Sequence, residues 1–170
     1  MKYLLALIFI QLTSCASYQT KDTSDIHQKN TKNIPFVFAP LYYKFTTEAE
    51  KRHVKLDSFR VNNLRVSFAD FTHDGKDLQS SKGEFIIGLC TPFDVNSDGT
   101  YSFKLEVDKA FWERSDVWHQ ESLFFHELGH CVLKQDHRKN SIMYELIISG
   151  MDLRLHEKEY LDELFFHVGG

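Results

Sequence analysis

The sequence predicts an α+β fold, and three observations carry that expectation. Between residues 63 and 107, apolar residues alternate with polar ones, the period of half-buried strands. From Ser115 the apolar residues recur at steps of three and four, the period of a helix. The strands come first and the long helix follows, which places sheet and helix side by side in one domain. Composition agrees: with 42% hydrophobic and 26% charged residues among 170, the chain can bury a core, and neither long disorder nor a disulfide-dense miniprotein fits. The net charge of −4, from 20 basic and 24 acidic residues, leaves no basic excess for nucleic acid, so no such partner is expected.

Residues 1–14 begin with Lys2 and continue as an apolar run too short to span a bilayer as a helix, the pattern of a secretory signal peptide. The end of that run, Leu12-Thr13-Ser14-Cys15, resembles the lipobox of bacterial lipoproteins. The resemblance implies cleavage before Cys15, acylation of Cys15, and a membrane anchor made of lipid. Ala16 and Ser17 follow where an Asp would suggest retention at the inner membrane, so the outer membrane is the expected address. Residues 15–33 are then a lipidated cysteine and a polar, flexible tether, and 34–170 form the folded domain.

Within the domain, Pro35 and Pro40 limit regular structure over 36–41, and 45–54 read as a helix with Thr46 or Thr47 as its cap. Strands are expected at 63–69, where Leu64, Val66 and Phe68 alternate with Arg65 and Ser67, at 84–90, and at 101–107. Asp98-Gly99 is a hairpin signal between the last two. Ser115 or Asp116 caps a helix running to about Leu133, a loop covers 134–141, and 158–168 form a final helix.

His126-Glu127-Leu128-Gly129-His130 is an HExxH motif. Residues four apart share one face of a helix, so His126 and His130 aim two nitrogens at one point, as zinc ligands do. Glu127 can lean over the metal and accept a proton from its water as the general base of a hydrolase. Asp136 and His137 follow at the distance where a third ligand could return, and Ser141-Ile142-Met143-Tyr144 comes next.

This set resembles the metzincin-type zinc metallopeptidases of the zincin clan. More narrowly, it is similar to bacterial lipoproteins described as metallopeptidases, which share a HELGHC pattern, a Phe-Trp pair (here Phe111-Trp112) and a late YLDELF-like segment (here residues 160–165). The resemblance implies a zincin-like domain with a small twisted sheet, an active-site helix, and a Met-turn in which Met143 lies beneath the ligands. It implies one zinc ion per chain and cleavage of peptide bonds in a protein or peptide substrate outside the cytoplasm. A zinc-binding lipoprotein without turnover, serving as an adhesion or assembly module, is the alternative. A monomer is the favoured state.

One departure from the metzincin pattern bears on the third ligand. The glycine expected three residues after the second histidine is Leu133. Adjacent side chains in an extended loop point to opposite sides, so Asp136 and His137 should not both bind. Asp136 stands where most metzincins place their third ligand. His137 matches the lipoprotein group, and a chain without a left-handed residue at 133 needs one more residue to swing back, which favours His137.

Cys90 and Cys131 remain once Cys15 is lipidated. An exported chain permits a bridge between them that ties sheet to helix, and two buried free thiols are the other possibility. Asp94, Asn96 and Asp98 resemble the start of a calcium loop, but Leu105 stands where an EF-hand has Glu, so they read as turn formers. His27, His53, His73, His119, His156 and His167 have no ligand spacing and are expected at the surface.

Overall fold

A computed structural model describes residues 33–73, 76, 77, 79, 85–95, 99 and 101–166. The signal segment, Cys15, nearly all of the tether and residues 96–98, with Asn96 and Asp98 of the calcium-loop resemblance, lie outside them. The order is α1 (Ala39–Lys51), α2 (Ser58–Asn63), β1 (Arg65–Ala69), the two-residue strands β2 (Thr72–His73) and β3 (Lys76–Asp77), β4 (Gly88–Val95), β5 (Tyr101–Asp108), α3 (Lys109–Arg114), α4 (Val117–Leu128), a π-helical turn (Gly129–Leu133) and α5 (Gly150–Phe166). This is a mixed α+β architecture. Among the described residues no helix is long and apolar enough to cross a membrane.

The main sheet has the order β1-β5-β4. β5 pairs in parallel with β1 and antiparallel with β4, so Leu105 lies between Val66 and Cys90. Among the described residues β4 is therefore an edge strand, and it carries Pro92 and a register shift between Pro92 and Asp94, both features that edges tolerate. The strand is expected over 84–90 but occupies Gly88–Val95. Its apolar residues predicted a strand, but pairing with β5 across the hairpin at Gly99 (φ +81°) set the register.

Helix α1 starts at Ala39, six residues before the expected start. Pro40 falls in its first turn, where no backbone N–H is needed, so the proline begins the helix instead of preventing it. The helix stops at Lys51 because His53 turns left-handed (φ 58°). The N–H groups of His53 and Val54 then bond back to the carbonyls of Glu50 and Ala49, closing the helix end. Helix α2 is not expected from the apolar period; Asp57 caps it by accepting from the N–H groups of Phe59 and Arg60. α5 begins at Gly150, well before residue 158, and bends at His156.

The high phenylalanine content goes into the core. Phe38 contacts Phe68, Trp112 and Phe124 at centroid distances of 4.8, 4.9 and 5.4 Å, and Phe45 contacts Phe125 and Phe165. These rings pack α1 and α5 around α4. Every residue from Glu121 to Leu128 is buried, so α4 is the central helix of the domain.

A charged triad joins the three helices. Lys44 on α1 donates to both oxygens of Glu121 on α4 at 2.7 Å and pairs with Glu157 on α5 at 2.6 Å. The Glu121 side chain is only 7% exposed, and burial pushes its carboxyl pKa up against the pull of Lys44. Lys44→Met should therefore cost about 2–4 kcal/mol in chemical denaturation, because it strands a buried carboxylate. Adding Glu121→Gln to that variant should restore part of the loss.

Candidate metal centre

Helix α4 owes its start to Asp116, which accepts from the N–H groups of Trp118 and His119. Three turns on, His126 and His130 come out on one face. His126 is 5% exposed, His130 is half-buried and His137 is exposed, so the centre is closed on the helix side and open on the loop side. The three Nε2 atoms stand 3.1 Å (His130–His126), 3.1 Å (His130–His137) and 3.3 Å (His126–His137) apart.

The outer nitrogens explain this aim. His126 Nδ1 donates to the carbonyl of Ile142 at 2.8 Å, and His130 Nδ1 donates to the carbonyl of Gln135 at 2.6 Å. A carbonyl only accepts, so in both rings the proton sits on Nδ1 and Nε2 presents a lone pair. Burial drives the His126 pKa down to about 4 and lowers that of His130 too, which keeps both rings in the neutral, metal-binding form. The Nε2 lone pairs of His126 and His130 then face one another, and a cation between them would relieve their repulsion. His126, His130 and His137 could thus hold one metal ion.

The turn after α4 selects His137. Helix α4 widens into the π-helical turn Gly129–Leu133, which uses one more residue than an α-helical turn. The left-handed residue is then Lys134 (φ 61°), one position beyond the expected place at 133. The N–H of Gln135 bonds to the carbonyl of Gly129 at 3.1 Å and closes the turn. The whole return is displaced by one residue, so His137 joins the cluster and the exposed Asp136 does not.

Glu127 is 5% exposed and faces the start of β4, where a Cβ on Gly88 would lie 2.5 Å from its Oε1. Only a glycine lets the edge strand approach that carboxyl so closely. Burial pushes the Glu127 pKa up to about 8 in the metal-free chain. A cation at the three nitrogens would pull it back down. Met143 is fully buried, and a Cβ on Gly129 would meet its Sδ at 2.2 Å, so Met143 packs against the helix backbone between the two helical histidines. Cys90 and Cys131 form a disulfide, with an S–S distance of 2.11 Å, that ties β4 to the residue after His130.

Three features of the site have no motif signal: Gly88, the carbonyls of Gln135 and Ile142, and the Gln135 side chain. His119, expected at the surface, is half-buried; its Nδ1 contacts Asp116 and its Nε2 accepts from the N–H of Gly150, fixing where α5 begins. Compared with protein-family models, curated proteins and solved structures, the chain finds no match. The geometry alone therefore carries the functional reading.

Two outcomes follow for the centre. His137→Ala should weaken metal binding by more than the roughly 100-fold that a lost outer partner costs, while Asp136→Ala leaves it nearly unchanged; titration against a chelator reads both. In the metal-free protein, a folded-state pKa of about 8 for Glu127 against an ordinary 4.5 means that stability falls as pH rises through this interval, because unfolding releases the proton. Glu127→Gln should thus stabilise the metal-free chain by on the order of a few kcal/mol at pH 8 and hardly at all at pH 5, as measured by thermal melts at both pH values.

Proposed function

We propose that this chain is a zinc-dependent metalloendopeptidase of the zincin type, which hydrolyses peptide bonds in a protein or peptide substrate. The observation that carries the reading is the convergence of three imidazole Nε2 atoms beside a buried glutamate, on a face open to solvent on the loop side. Four ligands at ~2.0–2.1 Å in a tetrahedron stand roughly 3.3 Å from one another, close to the spacing found here. Three histidines leave a fourth position for chemistry, whereas closed structural zinc sites fill all four. Met143 packed against Gly129, between the two helical histidines, and a small sheet with an antiparallel edge strand support the zincin assignment.

His126, His130 and His137 would hold the ion, which supplies Lewis acidity and makes water acidic near neutral pH. Glu127 then acts as general base. It accepts the proton of the attacking water as oxygen bonds to the scissile carbonyl carbon, and it delivers that proton to the leaving amine as the C–N bond breaks. Gly88 keeps the neighbouring strand from displacing that carboxylate. β4 is an unpaired edge among the described residues and runs past Glu127, so an extended substrate can add to it by main-chain hydrogen bonds.

The disulfide supports an exported location, since such bridges persist in oxidising compartments. With the lipobox-like Leu12–Cys15, it favours a lipid-anchored enzyme of the bacterial envelope.

The mature chain loaded with zinc should cleave an unfolded protein such as casein, and chelation should stop it. Glu127→Gln should bind zinc as before and lose about 10²–10⁴-fold in kcat. Zinc binding with no cleavage by the wild-type chain would instead favour a binding module.

A further inference from the structure

The loop between the π-helical turn and Met143 supplies a third ligand and both carbonyls that aim the other two. It has no regular ladder of its own. Two of its side chains hold it, and both reach the end of α5.

Gln135 is 8% exposed and makes contacts in three directions. Its carbonyl accepts from His130 Nδ1, its side-chain amide donates to the carbonyl of Leu164 at 2.6 Å, and its Oε1 accepts from Arg138 at 3.0 Å. Leu164 lies in the last turn of α5, where carbonyls have no partner within the helix, so Gln135 caps that helix while holding a ligand. Arg138 also pairs with Glu163 at 2.9 Å. Its N–H donates to the carbonyl of Met143 at 2.7 Å, and its own carbonyl accepts from Ser141 Oγ at 3.0 Å. Ser141 Oγ in turn accepts from the N–H of Met143 at 2.9 Å, which fixes the neighbouring Ile142 whose carbonyl holds His126. His137 lies between the two braced residues.

We propose that Gln135 and Arg138 are positioning residues that set the metal affinity of the centre, by clamping its loop to the C-terminal end of α5. The proposal rests on the metal-binding reading above. Neither side chain is a ligand; each acts through the carbonyl or the loop segment that holds one. The Nε2 atoms of His126 and His130 stand 3.1 Å apart with their lone pairs turned to one another because the carbonyls of Ile142 and Gln135 hold the Nδ1 protons, and the clamp keeps those carbonyls in place. Release of the clamp lets the rings splay, and binding must then reassemble them.

The test uses the mature chain and the variants Gln135→Met, Arg138→Met and Gln135→Glu. Gln135→Met keeps side-chain length and loses both bonds to Leu164 and Arg138; Gln135→Glu keeps only the acceptor facing Arg138. Zinc affinity is read by chelator competition, metal-free stability by thermal melting, and ligand geometry by the absorption spectrum of the cobalt(II) form. The expected result is an affinity about 10–100-fold weaker in both Met variants, with an altered cobalt spectrum, a smaller loss in Gln135→Glu, and a metal-free chain that is still fully folded at the temperature of the affinity measurement. Should Gln135→Met not fold, Arg138→Met decides, since the Arg138 side chain is 29% exposed. Unchanged affinity and spectrum in the variants overturn the proposal, as does an affinity loss that only follows a fall in metal-free stability. A wild-type chain that binds neither zinc nor cobalt removes the metal reading itself, a different result from wild-type binding with indifferent variants.

Discussion

Two hydrogen bonds, from His126 Nδ1 to Ile142 and from His130 Nδ1 to Gln135, set the geometry on which the centre depends. Helical spacing brings the two histidines to one face, but it leaves each ring free to rotate and to carry its proton on either nitrogen. The carbonyls remove both freedoms. They come from a loop that must fold back over the helix, so helix, turn and loop are specified together. The π-helical turn sets where the return begins, Lys134 reverses the chain, and Met143 fills the space against Gly129.

A second constraint is burial of the acid. Glu127 sits in surroundings that disfavour its charge, a cost that a cation at the three nitrogens would offset. The two glycines make this arrangement possible. Gly88 leaves room for the carboxyl beside the edge strand, and Gly129 leaves room for the methionine sulfur. A side chain at either place would push the sheet or the loop away from the helix. The Lys44–Glu121 pair works differently: its carboxylate is buried with a cation supplied by the chain itself.

The parts of this structure legible in the sequence are those written in side chains of local effect. The period change at 115, the cap at Asp116, the alternation in β5 and the four-residue histidine spacing read directly as local structure. The absence of glycine at Leu133 carries real information, because it points to a longer return and so to His137 over Asp136. What the sequence leaves hidden is carried by main-chain groups and tertiary packing. A carbonyl acceptor such as that of Ile142 has no residue type, Gln135 looks like any polar loop residue, and the register of β4 depends on its partner strand. The α1 start is hidden for another reason, since Pro40 opens a helix or breaks one according to its position in the turn. The lipobox-like segment lies outside the described residues.

The disulfide also bears on the order in which the protein matures. Thiolates are strong zinc ligands, and in an unfolded chain two free cysteines compete with imidazole for the metal. Cys131 is the immediate neighbour of His130, so a reduced chain offers a mixed sulfur–nitrogen trap at the place where the nitrogen site must form. Once Cys90 and Cys131 are oxidised, both sulfurs leave that competition. A chain that is oxidised before it meets a metal ion thus keeps these two sulfurs away from the imidazoles of the three-histidine cluster.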